Sequence, residues 1–561
     1  MKKRFFYCFT FFLFCYSLLI SHYSLSQVEL VDADNPVYGF LKRMQLDGII
    51  PEYNSSEMPL SRYEVAGFLK IVKNNFNKIT SVDRKFFEDY EAEFEYDMYQ
   101  TTNKSYSVIS KESFKNIFSN KKQKDLVRYT DSSFTFFSGL TAELSQRGSS
   151  GDSINDNSIL LAEAGLKFRG TFFNSVGYYL KLTNGQPASY NDSDLIFASE
   201  TDPLLKGNAN FLNGRNFNSF EGYLRYQTNN NWLSLMFART QLIQGKGYID
   251  KLFLSDNTYP FDFGKLNLSY KKINYSFTYG SIKGDSVTRP LSAKNIATHY
   301  LNVNFSNAFR AGFWEAVIIS NQPFSFTYLN PVSFLTSADL SSGKEQTTEN
   351  NALIGIDLEV IPFKNLSLQT TLLIDDLTFG TLFKKDSLNE NKFGWQIGAL
   401  WTNSLNMNIT AEFTHLDPFV YSHRTNKSTY TNRSMSLGHA LPPNSDEIAF
   451  KIDYDISNRL NLKFLFQHQR SGEGILLDSN GSIAANYGGN INFGLGDAYL
   501  RTNGFLDGFR VNRDIFTFYL LWQPVKQFYI EGKFQYRIID NISKDIKFND
   551  MYYFATIKAD I

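Results

Sequence analysis

The chain has 561 residues, 56 basic and 56 acidic, for a formal net charge of zero, and this balance carries no basic excess of the kind that nucleic-acid binding needs. Its mean hydropathy of −0.29, with no long apolar run after the N-terminus, excludes a helical membrane protein. The length exceeds what one soluble core usually holds, and an aromatic share of 16%, with 33 Tyr and 53 Phe, favours one large β-barrel, whose strands hide their hydrophobicity by alternation.

The first stretch reads as an export signal. Lys2, Lys3 and Arg4 precede an apolar run from Phe5 to Ile20, and Ser24, Leu25 and Ser26 supply the small-x-small exit, so cleavage is expected after Ser26. Removing that leader leaves 53 basic against 56 acidic residues. Both cysteines, Cys8 and Cys15, lie within it; the mature chain is expected to have no disulfide and to be held by hydrogen bonds and packing. Cys15 follows Phe14 rather than a small residue, which argues against a lipoprotein signal.

From Gln27 to about Asp125 the hydrophobic period is helical. Asn35 can cap a helix that takes Pro36 in its first turn, with Val37, Phe40, Leu41 and Met44 on one face and Gly48 near the stop. Ser61 and Glu64 form an S-x-x-E capping box for a second helix striped by Val65, Phe68, Leu69 and Val72. Thr80 and Asp83 open a third, followed by Phe86, Phe87, Tyr90 and Phe94.

The run Val37, Tyr38, Phe40, Leu41, Arg43, Gly48, Ile49, Ile50, then Pro59, Leu60, Ser61, Arg62, Glu64, Val65, then Glu93 and Phe94 resembles the N-terminal signature of the Wzi capsule-assembly family of outer-membrane proteins. Asn330 and Pro331, Asn350 and Asn351, and Asp375 and Asp376 extend the resemblance. The P-L-S-R-x-E element alone also resembles surface-layer cell-wall-binding modules. The family resemblance implies an eighteen-stranded barrel, a periplasmic helical bundle closing its inner end, and a lectin-like role in holding surface polysaccharide.

The barrel is also legible from the residues. About eighteen strands of period two can be placed, the first near Tyr129 to Leu144 and the last near Met551 to Ile561. In one, Phe528, Ile530, Gly532, Phe534, Tyr536 and Ile538 alternate with Tyr529, Glu531, Lys533, Gln535 and Arg537, so that one face is apolar and the other ionic. Ile354, Ile356, Leu358 and Val360 oppose Asp357 and Glu359 in the same way, and Ile448, Phe450, Ile452, Tyr454 and Ile456 oppose Lys451, Asp453 and Asp455. Tight connections, such as Lys272 and Ile273, Pro362 to Asn365 and Pro524 to Gln527, alternate with mostly long ones, such as Asn184 to Ser219 and Ser471 to Arg513. That alternation is the mark of short periplasmic turns and long extracellular loops. Trp232, Trp395, Trp401, Trp522 and Tyr553 are candidates for interfacial girdles.

No catalytic constellation emerges. His22, His299, His415, His423, His439 and His468 have no metal-ligand spacing; Asp375 and Asp376 point to opposite faces of a strand. Gly481 and its neighbours, from Gly472 to Gly496, form a loop with no following helix to aim at an anion. The loops carry residues suited to sugar: Phe419, Tyr421, Tyr430 and Arg433 among Asn426 and Asn432, and Tyr487 beside Asn486 and Asn490. Aromatic faces cover the apolar side of a pyranose while amides and guanidinium groups bond its hydroxyls.

The expected protein is therefore an all-β transmembrane antiparallel barrel of about eighteen strands (126–561) behind a signal peptide (1–26) and a small helical periplasmic module and possible plug (27–125). It is expected in the outer membrane as a monomer contacting lipid, to bind surface or capsular polysaccharide, and to need no cofactor, metal, catalytic residue or nucleic acid. The competing expectations are a porin-like channel for small solutes and an outer-membrane hydrolase, the latter requiring a site that the sequence does not show.

Overall fold

The computed structural model describes residues 27–109, 117–208, 210–284, 293–320, 326–337, 350–376, 391–423, 427–477, 479–480, 483–494 and 504–561. The expected signal peptide, with Cys8, Cys15 and His22, and the loop residues Asn426 and Gly481 lie outside them.

Eighteen antiparallel strands close into a barrel: β1 Thr135–Gly151, β2 Asn157–Phe172, β3 Val176–Ser189, β4 Phe217–Gln227, β5 Leu233–Thr240, β6 Phe261–Tyr270, β7 Ile273–Lys283, β8 Ala293–Asn304 and β9 Phe309–Ser320. The second half comprises β10 Asn351–Phe363, β11 Leu366–Asp376, β12 Lys392–Thr402, β13 Met407–Leu416, β14 Ser445–Ser457, β15 Leu460–Glu473, β16 Phe509–Val525, β17 Phe528–Asn541 and β18 Ile546–Asp560. The seam is β18 against β1, paired from Asp550 with Gly151 to Asp560 with Thr141. Closure leaves no sheet edge, so every strand finds hydrogen-bond partners on both sides, as a hydrocarbon environment demands. At the seam Tyr553 lies across Gly148; a Cβ at Gly148 would stand 2.2 Å from the ring, so the aromatic covers a position that only glycine leaves free.

Eight connections at one end run two to five residues. Asn174, Asn231, Asn365 and Asn406 stand in these turns with positive φ, a conformation that asparagine tolerates better than most residues. The nine connections at the other end run from four to 35 residues. Two details differ from the sequence reading. The first strand begins at Thr135 rather than Tyr129, because Val127–Thr130 folds back on it as a short hairpin arm turned at Asp131. The last begins at Ile546 rather than Met551, so its connection to β17 is tight although it lies at the long-loop end.

The alternation sorts as expected: Ile356, Val360, Ile448, Phe450, Ile456, Phe518, Leu520 and Phe534 are exposed on the outer wall, whereas Asp357, Glu359 and Gln535 are buried inside. Trp232, Trp401 and Trp522 are exposed near the short-turn end, with Trp395 and Tyr553 further along the wall, where indole and phenol rings suit a membrane boundary.

The N-terminal helices are α1 Val37–Leu46, α2 Arg62–Asn74, α3 Ser81–Glu93 and α4 Glu95–Tyr99. Helix α1 begins one residue after the expected Pro36, with the Asn35 side chain accepting from Val37 N at 2.9 Å. The capping box forms, Ser61 Oγ accepting from Glu64 N and Glu64 accepting from Ser61 N, and Thr80 caps α3 through Asp83 N at 3.0 Å. Arg62 does more than open α2: it is buried, pairs with Asp97 at 2.8 Å and donates to Glu93 O, tying α2 to α3 and α4. The apolar stripes meet in a core of Val37, Leu41, Met44, Val65, Leu69, Val72, Phe87 and Phe94.

This module docks on the short-turn end. Asn365 N donates to Leu46 O and its amide to Asp47 at 2.7 Å; Arg459 Nη2 and Asn458 Nδ2 reach Asp89 at 2.7 and 2.6 Å, and Thr80 meets Asn406. The chain ahead of α1 enters the lumen, where Val28 N donates to Thr171 and Leu30 N to Tyr223.

Candidate functional site

The lumen has two unlike halves. One is filled from the long-loop end by the connection between β5 and β6, residues 241–260, which folds inward instead of outward. Its Ile243–Gln244 pairs with Glu57–Met58 of the module, so the segment entering from the short-turn end and the loop entering from the other share a two-stranded bridge inside the barrel.

Inward carboxylates hold that loop. Glu359 of β10 accepts from Lys42 of α1 and, at 2.6 Å, from Lys246 of the loop, while Arg310 stands 3.7 Å away. Glu412 of β13 accepts from Tyr248 N at 2.8 Å and Ile249 N at 3.1 Å. Asp357 takes bonds from Thr371, Tyr300 and Trp314, and the Trp314 ring, fully buried, stacks on Phe253 of the loop at 4.3 Å. Trp314 lies across Gly355, where a Cβ would come within 2.0 Å of the indole. Glu359 and Glu412 thus grip a lysine and the backbone of the inserted loop, while Asp357 is satisfied by donors of the barrel wall, because buried charge must be paired or bonded.

The connection between β13 and β14, residues 417–444, covers this column, and four of the five aromatic and cationic residues singled out from the sequence lie there. Tyr421 and Tyr430 stack at 5.4 Å and donate to Leu252 O at 2.6 Å and Phe253 O at 3.0 Å. Both are fully buried, and Phe419 nearly so. Phe419 and Tyr421 also hold positive φ of 66° and 68°, costly for bulky side chains and sustained by the surrounding packing. Tyr421 and Tyr430 pin the loop layer to the lumen filling, Phe419 lies against Gly488 of the next loop, and the three buried rings offer no open face to a sugar, which corrects the reading of them as glycan contacts. Arg433 is half-buried, donates to Gly207 O at 2.7 Å and lies over Tyr259. Tyr487, half-buried in the next loop, is tied by its carbonyl to Asn444. The five do not converge on one site.

Of the pairs that extended the resemblance, only Asp375 reaches this layer; Pro331 O accepts from Tyr275, away from it. Asp375 accepts from Tyr421 N at 2.6 Å, Asp376 pairs with Lys392 at 2.5 Å, and Asn350 joins Tyr328 to Ser320 N.

The other half of the lumen, under β15–β18 and β1–β3, keeps water-accessible charged side chains. Toward the long-loop end it widens into a cavity of about 610 Å³ lined by Lys533, Gln535 and Arg537 of β17, Tyr552 and Phe554 of β18, Asn155 and Asn157, and Phe197 and Glu200 of a loop helix, α5 Asp192–Thr201. Asn191 and Asp194 form the reciprocal cap that starts α5. That N-x-x-D pattern, followed by Asp202 and Pro203 opening a further short helix, was the sequence signal for structure in this loop. Period two puts Lys533, Gln535 and Arg537 on the ionic face of their strand, but alternation alone does not say which inner residues face a void. Among the described residues no group of three or more His, Cys, Asp or Glu could hold a metal ion.

The family model of the capsule assembly protein Wzi matches residues 142–482, well over half of the chain. The protein belongs to that family. The match contains the pairs at 330–331, 350–351 and 375–376 but not the helical signature before them. Among solved structures, Escherichia coli Wzi, described as an outer-membrane carbohydrate-binding β-barrel involved in group 1 capsule assembly, is similar over 94% of this chain and 98% of its own, with TM-score 0.53 and 13% identity, a likeness of fold. Pseudomonas aeruginosa OpdK, solved with vanillate, is similar over 76% of this chain and 99% of its own at 9% identity and TM-score 0.44; P. aeruginosa OprD gives 76%, 95%, 9% and 0.42. These two lesser likenesses carry no argument. No curated protein matches the chain. A Wzi-type closed barrel with an apolar outer wall belongs in the outer membrane.

Proposed function

We propose that this Wzi-family barrel is a noncatalytic binder of surface polysaccharide that supports capsule or exopolysaccharide assembly and its attachment to the cell. The observation that carries the reading is the family match joined to a lumen filled by its own chain: the module, residues 241–260 and the layer above them occupy half of the interior, which suits display better than bulk solute passage. The solved E. coli relative is described as binding carbohydrate, in keeping with that role. With the long loops outside, the helical module lies in the periplasm and closes the inner mouth; the barrel works as a monomer in lipid. Arg433 and Tyr487 remain candidate contacts at the loop surface, whereas Phe419, Tyr421 and Tyr430 shape the layer that presents them. Many weak contacts along a polymer add up, because each bound repeat raises the local concentration of the next.

The test is retention of surface polymer. Cells lacking the protein should shed polysaccharide into the medium while making the same total amount, and the gene supplied in trans should restore attachment. Unchanged surface polymer in the deletion strain would remove the proposed role.

A further inference from the structure

We infer that the outer cavity between β17, β18 and α5 binds an acidic segment of polysaccharide, with Arg537 and Lys533 taking its carboxylates. This rests on the polysaccharide reading above and adds the chemical class of glycan.

The charges around this cavity are treated unequally. Arg147 pairs with Asp202 at 2.9 Å, Arg513 with Glu473 at 2.5 Å, and Asp550, fully buried, accepts from Ser153 N at 3.0 Å. Lys533 and Arg537 differ: among the described residues neither has a carboxylate within 4.0 Å, although both are partly buried. They are held by neutral groups instead. The Arg537 guanidinium lies 4.2 Å over the Tyr552 ring and donates to Gln535 at 2.8 Å and to Tyr552 OH at 3.3 Å; the Lys533 ammonium stands 4.9 Å from the centre of Phe554 and 5.7 Å from that of Tyr519. Aromatic faces orient a cation without neutralising it. The one acid that lines the cavity, Glu200, is exposed to solvent, so its charge is screened.

Two oriented, unneutralised cations in a cavity that opens toward the long loops form an anion site. The guanidinium matches a carboxylate with two parallel donors, and the ammonium adds a point charge. Four residues apart on one strand, they are separated by about 13 Å along the backbone. That spacing suits successive acidic groups on a chain of sugars better than one small acid.

The experiment measures binding of the purified full-length protein in detergent to a fluorescent oligogalacturonate long enough to span about 13 Å, and to the same oligomer after reduction of its carboxyls to alcohols. The acidic probe should bind at least about tenfold more tightly than the neutral one, and the gap should close as salt approaches about 1 M, where the screening length falls to roughly 3 Å. Lys533→Met and Arg537→Gln should each lose about tenfold for the acidic probe and nothing for the neutral one. Arg537→Lys should keep most of the binding, Glu200→Gln should keep or tighten it, and free galacturonate should compete poorly. A heat-modifiable gel shift establishes that each variant is a closed barrel; were one to fail to close, the paired probes on the unaltered protein still decide. Equal binding of the two probes, no binding of the acidic one, or full binding by the Lys533 and Arg537 variants would overturn the inference. The first and third results leave the polysaccharide reading standing, which falls separately if the deletion strain keeps its surface polymer.

Discussion

Glu359 is the residue on which most of the interior converges. It receives Lys42 from the module and Lys246 from the inserted loop, with Arg310 beside them, all at or below 10% side-chain exposure. Removing one partner from a buried ionic cluster leaves the others uncompensated, at a cost of about 3–5 kcal/mol. Glu359→Leu should therefore lower the temperature at which the folded gel band disappears and loosen both the module and residues 241–260 to protease, while Glu359→Gln should do so less. A variant as stable as the parent would show that water, rather than this carboxylate, compensates the lysines.

Two carboxyls of the module set opposite responses to pH. Burial first, then Asp83, pushes Asp47 from 3.8 up to about 6, against the pull of Arg43 and the Asn365 amide. A raised acid favours the folded state when protonated, so its contribution is complete below about pH 4 and is lost as pH rises through about 6. Burial would also raise Glu91, yet bonds from Lys104, Lys73 and Tyr99 outweigh it and hold the carboxyl down at about 2; its contribution is present above 4.5 and is lost as pH falls toward 2. Protease resistance of the module should accordingly fall off on both sides of a window near pH 4–5, with Asp47→Asn flattening the upper limb and Glu91→Gln the lower.

At the scale of elements, the loop at 241–260 behaves as a second core within the barrel. Leu252, Phe253 and Leu254 are buried against Tyr300, Trp314, Tyr421 and Tyr430. Replacing a buried Phe by Ala costs about 3–5 kcal/mol through lost contacts and the cavity left behind. Phe253→Ala should spend that locally, freeing the loop before the strands melt. Trp314 reports it, because the other four tryptophans are exposed on the outer wall: its emission should shift to the red and become quenchable while the heat-modifiable band persists. No spectral change would mean that the hydrogen bonds of the loop with Glu412, Glu359, Tyr421 and Tyr430 hold it without the Phe253 ring. In α2, Ser61→Ala removes the cap from Glu64 N and should cost about 1 kcal/mol, read as earlier loss of module protection in urea.

For the whole molecule, the docked module and the inserted loop predict electrical behaviour. The intact protein in a planar bilayer should conduct little. Deleting residues 27–125 should open the inner mouth while leaving half of the lumen filled, and shortening 241–260 as well should give a further rise. Large steady currents from the intact protein would favour a porin and contradict the filled interior.

What the sequence determined by itself was the wall. Alternation of period two, the eight tight turns, four of them with a positive-φ asparagine, the capping box at Ser61 and the cap at Thr80 are local, and local geometry translates directly into strand count, facing and helix starts. What only the tertiary structure decided was the interior. A loop of twenty residues looks alike whether it stands in water or folds into a lumen, so composition puts Phe419, Tyr421 and Tyr430 at the loop surface, whereas the inserted segment takes Tyr421 and Tyr430 and the next loop covers Phe419. Conversely, Lys533 and Arg537 resembled every other ionic inner position until the fold left them facing a void without a counter-charge. Whether an inward side chain meets protein or solvent depends on segments hundreds of residues away, and no periodicity records that.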